Sequence, residues 1–312
     1  MHEGSRRAIV AAFAANLGIA LAKFGAFAFT GAASMLAEAV HSVADTGNQA
    51  LLFLGSARAR RAPTEEHPFG YGRERYFWAF VVALVLFSLG ALFAIGEGIE
   101  KIRNPHELAS PHWALAVLAV SIALETGSFV TARREANRVR RGESWVAFIR
   151  HTKSPELPIV LLEDLGALMG LSIACLGIGL AIWTGDPRFD AAGSIAIGLL
   201  LGTIAVLLAI EMKSLLIGEA ASPADVAKIR TAMESAPHVA RVIHLRTLHL
   251  GPDDLLVASK LAFDPRLDFT ALAKAIDETE RRVRAVVPAA RLVFLEPDVD
   301  KGVSTPPTPA AL

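Results

Sequence analysis

The chain has 312 residues, of which 53% are hydrophobic and 20% are charged, and its mean hydropathy is +0.43. A soluble domain has about a quarter charged residues and a lower hydropathy, so this composition excludes an ordinary soluble protein and favours a membrane protein. The 31 basic and 31 acidic residues cancel, and the single cysteine, Cys175, excludes a disulfide framework or a thiolate zinc cluster within one chain.

Six stretches are long and apolar enough to cross a membrane, which takes roughly 20 apolar residues. They cover about 8–30, 34–55, 76–100, 112–132, 156–184 and 189–212. The first lacks the charged start and the cleavage site of a secretory signal, so we expect it to be retained. We predict a membrane all-α six-helix bundle over residues 1–212.

Lysine and arginine gather on one side of this predicted bundle. The residues on that side are Arg6, Arg7, Arg58, Arg60, Arg61, Arg73, Arg75, Arg133, Arg134, Arg138, Arg140, Arg141, Arg150 and Lys153. The opposite loops hold only Lys101, Arg103 and Arg188. The positive-inside rule therefore predicts that both termini lie in the cytoplasm.

The basic loop between the fourth and fifth spans has few aromatic residues, only Trp145 and Phe148. We therefore interpret its charge as topogenic and expect no nucleic-acid partner. The start of the chain shows no organelle transit segment, so the expected location is a bacterial inner membrane.

Residues 213–298 have the sequence pattern of a small soluble domain. Ser222 precedes an amphipathic helix, and the alternating runs VARVIHLRTLHL and DLLVASKLAF, separated by GPDD, predict a β-hairpin. A second helix over about 268–286 and a last strand in ARLVFLEP follow. This order predicts an α+β sheet with helices on one face, and the Pro-rich residues 299–312 are predicted to be disordered.

The second span, MLAEAVHSVADTGNQ, contains ionisable residues at membrane depth. His41 and Asp45 are one helical turn apart and share a face, so they can hold one ion between them. Glu38 lies near that face and Asn48 continues it. Charged groups in a bilayer cost a few kcal/mol, which makes function the first hypothesis. Hydrogen bonding to neighbouring helices is the alternative, and it has more weight for Glu38 and Asn48.

The fifth span contains Glu163 and Asp164 within PELPIVLLEDLGALMG. Adjacent helical residues point about 100° apart, so both are not expected to face one ion. One imidazole with carboxylates suits zinc, and also manganese, cobalt or ferrous iron. Copper(I) is disfavoured because thiolates are missing.

These segments resemble the cation diffusion facilitator family of metal transporters over nearly the whole chain. The matching motifs are AEAVHSVAD in the second span, HPFGYGRER after it, LLED in the fifth span and RTLHLGPDD in the tail. The resemblance implies six spans, cytoplasmic termini, and a ferredoxin-like C-terminal domain that regulates and dimerises the protein. LLED is similar to a divergent zinc-transporter branch of that family.

In the family, the second and fifth spans each contribute two ligands one turn apart. The first pair falls on His41 and Asp45. The later position of the second pair falls on Asp164, but the earlier one falls on Val160, which cannot bind a metal. The resemblance therefore implies a core of His41, Asp45 and Asp164, completed by water, Glu163 or another nearby acid.

The loop after the second span often carries another metal site in this family. In TEEHPFGYG only Glu65, Glu66 and His67 have suitable side chains, and Tyr71 stands where a histidine can occur. Orienting the turn is the stronger interpretation of His67.

Three tail histidines, His238, His244 and His249, are candidates for regulatory zinc, and strand packing or solvent exposure explains them equally well. Glu125 lies within the fourth span in ALETGSF. It is a candidate proton relay, with pairing to another helix as the alternative.

The expected function is a homodimeric secondary transporter that exports a divalent metal, zinc first, from the cytoplasm in exchange for protons. We expect no cofactor other than the transported metal itself. A membrane metal sensor that binds without transport is one alternative. A membrane metalloenzyme is another, but the sequence has no HExxH pair, and Glu163 is the only evident counterpart of a catalytic base.

Overall fold

The computed structural model describes residues 3–105, 111–140 and 142–299 of the chain. The chain divides into two compact units, residues 1–216 and 217–312. The first unit is helical, whereas the second contains a three-stranded sheet. This division falls four residues after the predicted boundary at 212, because the last helix of the first unit continues to Ile217.

Long helices build the first unit. They are α1 (Glu3–Thr30), α2 (Ala33–Arg58), α3 (Glu74–Val85), a π-helical segment (Leu86–Ala91), α4 (Leu92–Arg103), α5 (Pro111–Arg140), the short α6 (Trp145–His151), α7 (Glu156–Thr184) and α8 (Arg188–Ile217). The π-helical segment joins α3 to α4, so that these three elements form one helical run, Glu74–Arg103.

Within the described residues, four helical runs are long and apolar enough to cross a membrane. These are Glu74–Arg103, His112–Arg140, Glu156–Thr184 and Arg188–Ile217. The polar residues of α2 lower its hydropathy, and the apolar segment Leu17–Thr30 of α1 is shorter. Four of the six predicted membrane helices are thus found in the described residues, while the count of six spans and their orientation stay predictions.

Several basic residues that were predicted to lie in loops belong to helices. Lys101 and Arg103 lie in the last turn of α4, Arg188 begins α8, and α5 continues through Arg140. Lys101 is buried because its ammonium group lies 3.3 Å from the carboxylate of Asp190. The helix α4 extends three residues beyond the predicted end of the third span at residue 100.

The second helix, α2, occupies the centre of the first unit. It contacts α1, α3, the π-helical segment, α4 and α7. One hydrophobic core around it joins Met35 of α2 to Leu118 of α5 and Leu171 of α7. Cys175 packs against this core, as predicted for a packing residue. The polar residues of α2 therefore lie close to several other helices of the first unit.

The run from the π-helical segment through α4 meets α8 through glycines in a reciprocal arrangement. A Cβ at Gly98 would lie 2.6 Å from Cγ1 of Ile195, and a Cβ at Gly198 would lie 2.6 Å from Cγ1 of Ile95. Each isoleucine thus fills the space left by the glycine of the other helix. We call Ile95, Gly98, Ile195 and Gly198 the glycine interlock.

The second unit contains α9 (Pro223–Glu234), β1 (Val239–Gly251), β2 (Asp254–Phe263), α10 (Phe269–Val286) and β3 (Leu292–Asp298). The strand order is β1-β2-β3, with β1 antiparallel and β3 parallel to β2. The predicted order of helices and strands is confirmed, including the hairpin at Gly251 and Asp254 and the cap at Ser222.

Alternation along β2 places Leu255, Val257 and Leu261 on one buried face of the sheet. Ile229 of α9 and Val283 of α10 belong to the same hydrophobic cluster. The prediction that helices cover one face is therefore confirmed. The predicted disordered segment lies outside the described residues except for residue 299.

Candidate metal site

The second helix places His41 and Asp45 one turn apart in the interior of the first unit. His41 Nδ1 lies 3.4 Å from Asp45 Oδ1, and the side chain of His41 is fully buried. Neither ring nitrogen of His41 nor Oδ1 of Asp45 has a hydrogen-bond partner. Buried polar atoms are nearly always paired, because leaving them unpaired costs free energy. A lone pair on one ring nitrogen of the neutral imidazole and the lone pairs of the carboxylate oxygen are therefore available to a metal ion.

The seventh helix, α7, directs Glu163 and Asp164 to different neighbours. Asn48 Nδ2 of α2 donates to Glu163 Oε1 over 2.8 Å, whereas Ser128 Oγ of α5 donates to Asp164 Oδ2 over 3.0 Å. Two adjacent helical side chains diverge by about 100°, which explains this split. We call the polar residues of α2, α5 and α7 at this contact the polar seam. Its members are Glu38, His41, Asp45, Asn48, Ser128, Glu163 and Asp164.

The carboxylates of the polar seam and Glu125 of α5 lie near enough to act on one another electrostatically. Glu163, Glu125 and Glu38 each exert a field on Asp45, and Glu125 also acts on Asp164. Like charges that are buried together repel one another strongly, because the surroundings screen them poorly. A divalent cation bound among them would relieve this repulsion.

The predicted core of His41, Asp45 and Asp164 is not assembled in the described residues. Among these residues, no three His, Cys, Asp or Glu side chains converge closely enough to hold an ion. His41 and Asp45 are adjacent, but Asp164 is turned toward Ser128. Bringing Asp164 onto a shared ion requires it to leave that serine.

A cavity of about 850 Å³ lies beside the polar seam. Glu125 of α5 and Val160 of α7 both line it, together with Gln49 of α2. Arg75 and Glu156 also line it, and Arg75 Nε donates to Glu156 Oε1 over 2.6 Å. The position where the family has a second ligand therefore faces open space that Glu125 shares.

Lys23 of α1 belongs to this site although the motifs did not indicate it. Its ammonium group donates to Glu38 Oε2 over 3.1 Å and to Ser42 Oγ over 2.7 Å, and all three side chains are buried. An ionisable residue within an apolar span was the available signal. Glu38, a weaker candidate ligand in the sequence, therefore has a lysine as its counterion.

The loop histidine His67 is exposed and orders its turn. Its ring packs on Tyr71 with centroids 4.6 Å apart, and its backbone N–H donates to Thr64. Glu65 and Glu66 beside it are exposed. The structure thus agrees with the interpretation of His67 as a turn residue.

The tail histidines do not converge on one point. His244 is exposed opposite Lys260, whereas His249 is buried on the other face of β1, with Nδ1 3.2 Å from the carbonyl oxygen of Gly251. His238 lies in the turn before β1 with a positive φ of 66°. Residues five apart on a strand point to opposite faces, so His244 and His249 of one chain cannot share an ion.

Comparison with known proteins gives consistent matches. The family model of the cation efflux transmembrane domain matches residues 9–217. The human proton-coupled zinc antiporter SLC30A9, mitochondrial, is 30% identical over 269 residues, which are 83% of this chain and 47% of that protein. Metal tolerance protein C4 of Arabidopsis thaliana is 30% identical over 265 residues, which are 84% of this chain and 58% of that protein.

A bacterial relative matches over a longer stretch. The cation-efflux pump FieF of Klebsiella pneumoniae is 25% identical over 305 residues, which are 93% of this chain and 96% of that protein. The chain therefore spans about half the length of the mitochondrial relatives it matches, 47%, and nearly all of the bacterial one.

Proposed function

The chain belongs to the cation efflux family of membrane transporters, the cation diffusion facilitators, and we propose that it moves a divalent metal ion, zinc first, across a membrane. One observation carries this proposal: His41 and Asp45 present buried, unpartnered nitrogen and oxygen atoms beside acidic groups of α5 and α7. An imidazole with carboxylates suits zinc and also manganese, cobalt and ferrous iron. The name of the human relative favours zinc.

Proton competition supplies the coupling in this proposal. Metal ligands must be deprotonated, so a neutral imidazole and ionised carboxylates bind the ion, and protons that arrive at the same atoms release it. When the site opens alternately to the two sides, metal bound on one side is exchanged for protons on the other. The titratable donors and the name of the human relative, a proton-coupled antiporter, support this exchange.

The cavity lined by Glu125 and Val160 is the proposed entrance to the site. It reaches Arg75, which belongs to the side of the bundle that is rich in arginine and that the positive-inside rule assigns to the cytoplasm. Glu125 lines this cavity and also acts electrostatically on Asp45 and Asp164, so we assign it the role of proton relay. Asp164 completes the ligand set when it leaves Ser128.

The proposal includes a homodimer with cytoplasmic termini in a bacterial inner membrane. The gathering of arginine and lysine on one side of the helices supports the orientation. The host membrane rests on the sequence expectation alone, since the names of the relatives include both a bacterial pump and a mitochondrial antiporter. The second unit is the proposed dimerisation and regulatory domain. The metalloenzyme alternative is excluded, since members of this family are transporters and not enzymes.

The decisive experiment measures flux. The full chain is reconstituted into proteoliposomes containing a metal-sensitive dye, and uptake of zinc, manganese and cobalt is compared under a pH gradient. We expect zinc uptake that Asp45→Ala abolishes. Glu100→Ala, which removes an exposed carboxylate of α4, serves as the matched control and should transport like the wild type. Binding of metal without flux for every metal would refute transport and favour a membrane sensor.

A further inference from the structure

Lys23 holds two residues of α2 from the neighbouring helix α1. Glu38 and Ser42 accept hydrogen bonds from its ammonium group at 3.1 Å and 2.7 Å. They lie three residues before His41 and Asp45, respectively, so each candidate ligand has a tethered residue about one turn earlier. A lysine at membrane depth is costly and typically marks a functional contact. This one fixes the rotation of α2 at the site.

The other carboxylate oxygen of Glu38 reaches α7. Oε1 is buried without a hydrogen-bond partner, and it lies where a Cβ at Gly170 would overlap it. The same Cβ would lie 3.5 Å from Glu38 Cδ. The glycine therefore allows a close approach of the α7 backbone to the carboxylate, and a side chain at this position would displace that oxygen.

This contact lies on the face of α7 that carries Glu163. Gly170 is seven residues after Glu163, which is close to two full turns, so both face α2. Asn48 contacts Glu163, and Glu38 contacts Gly170. His41 and Asp45 lie between these two α2–α7 contacts in the sequence of α2. The two contacts together therefore set the spacing of the helices that carry the candidate ligands.

We propose that Lys23, Glu38 and Gly170 form a bridge that positions α2 against α7 at the transport site, and that Glu38 is a positioning residue and not a metal ligand. One oxygen of Glu38 is held by an ammonium group and the other lies against a backbone. The charge of Lys23 also acts on His41 and Asp45, so a cation bound directly to Glu38 would meet repulsion from the lysine. The bridge rests on the proposed function.

Gly170→Ala tests the bridge with Gly179→Ala as its control. A Cβ at Gly179 of the same helix meets nothing within 4 Å, so both substitutions change the helix equally but only one displaces Glu38. Zinc affinity is measured by competition with a zinc dye on the purified full chain. We expect Gly170→Ala to weaken zinc binding about tenfold, as for loss of a group that orients a ligand. Gly179→Ala should bind zinc like the wild type.

A double variant shows whether the two residues act through one contact. If they do, Glu38→Ala with Gly170→Ala weakens zinc binding no more than Glu38→Ala alone. Additive losses, or wild-type affinity in Gly170→Ala, would overturn the bridge.

Lys23 separates a positioning role of Glu38 from a ligand role. If Glu38 is a ligand, Lys23→Met frees it and zinc binding tightens. If Glu38 positions α2, Lys23→Met weakens zinc binding about tenfold and Lys23→Arg restores it. Tighter binding in Lys23→Met would refute the proposal. Where Lys23→Met does not fold because it leaves Glu38 buried and unpaired, Gly170→Ala decides the question.

Binding and flux also separate this inference from the proposed function. A wild-type chain that binds metal but moves none of zinc, manganese and cobalt ends the transport proposal, while the variants still test the bridge through affinity. A wild-type chain that binds none of these metals overturns both.

Discussion

The glycine interlock and the polar seam are both buried helix contacts of the first unit. Buried polar atoms beside the interlock have hydrogen-bond partners, whereas several of those in the seam have none. Next to the interlock, Ser194 Oγ donates to the carbonyl oxygen of Ala94 over 2.8 Å, and Lys101 pairs with Asp190. In the described part of the chain, no unpartnered buried side-chain atom belongs to α4 or α8. The polar seam has such atoms on Glu38, His41, Asp45 and Asn48.

This difference suggests that the interlock is a structural contact and that the polar seam is a binding site. Close helix packing through small residues stabilises membrane helices by van der Waals contact, and here it leaves no space to fill. The seam instead keeps costly unpaired atoms, of which those of His41 and Asp45 are available to a bound ion. In the proposed alternating access, one part of the bundle stays fixed while another moves. Under that proposal, the interlock suits the fixed part and the seam suits the moving part.

The largest effect on stability is expected from a substitution that disrupts the interlock, Gly198→Ala. In Gly198→Ala the new Cβ would lie 2.7 Å from the carbonyl oxygen of Ala91, a backbone atom that cannot turn aside. We expect the free energy of unfolding to fall by about 3 kcal/mol, the upper end of overpacking costs. Denaturant unfolding of the purified full chain in micelles measures it.

Gly202→Ala is the control for that substitution. It lies one turn further along α8, and its Cβ would meet Ala91 Cβ at an ordinary 3.5 Å. Its stability should equal or exceed that of the wild type, since alanine favours a helix over glycine. Equal stabilities of Gly198→Ala and Gly202→Ala would show that the interlock is not tight and would remove the contrast with the seam.

Local patterns predicted much of this molecule. The spacing of His41 and Asp45 by one turn was sufficient to predict that they are adjacent, because an α-helix fixes that geometry. Alternation in DLLVASKLAF predicted β2 with the bounds that the structure shows, since side chains alternate across a strand. These features depend on neighbours within a few residues.

Contacts between helices were not predictable in this way. Lys23 meets Ser42 across a separation of 19 residues, and the rotation of each helix decides that meeting. Glycine has a low helix propensity, so Gly98 and Gly198 taken alone argue against helices at their positions. Only the partner helix shows that a larger residue would clash there. The turn of Asp164 toward Ser128 likewise depends on how α5 lies beside α7.

An intermediate effect, on zinc affinity, is expected from Asn48→Ala, which tests whether the seam orients the metal ligands. Asn48→Ala removes the donor that holds Glu163 Oε1 at 2.8 Å, so the carboxylate loses its orientation toward α2. We expect zinc affinity to fall about tenfold, equivalent to about 1.4 kcal/mol. Competition with a zinc dye measures it.

Thr46→Ala provides the matched control on α2. Its hydroxyl donates only to the carbonyl oxygen of Ser42 in its own helix, at 2.8 Å, so zinc affinity should not change. If Asn48→Ala instead lowered stability and left zinc affinity intact, the Asn48–Glu163 contact would be structural, like those beside the interlock.

The smallest expected effect concerns Ser194→Ala, which removes the hydrogen bond to Ala94 beside the interlock. Side-chain hydrogen bonds between membrane helices contribute about 0.6 kcal/mol on average, so we expect a stability loss of that size. Thr203→Val removes a hydroxyl of the same helix that bonds only within α8, to Leu199, and should cost less. Zinc affinity and flux should stay at wild-type values in both variants, because a scaffold contact acts on folding and not on the ion. A change in zinc affinity in Ser194→Ala would show that the α4–α8 pair moves with the metal, and the division into a fixed and a moving part would then fail.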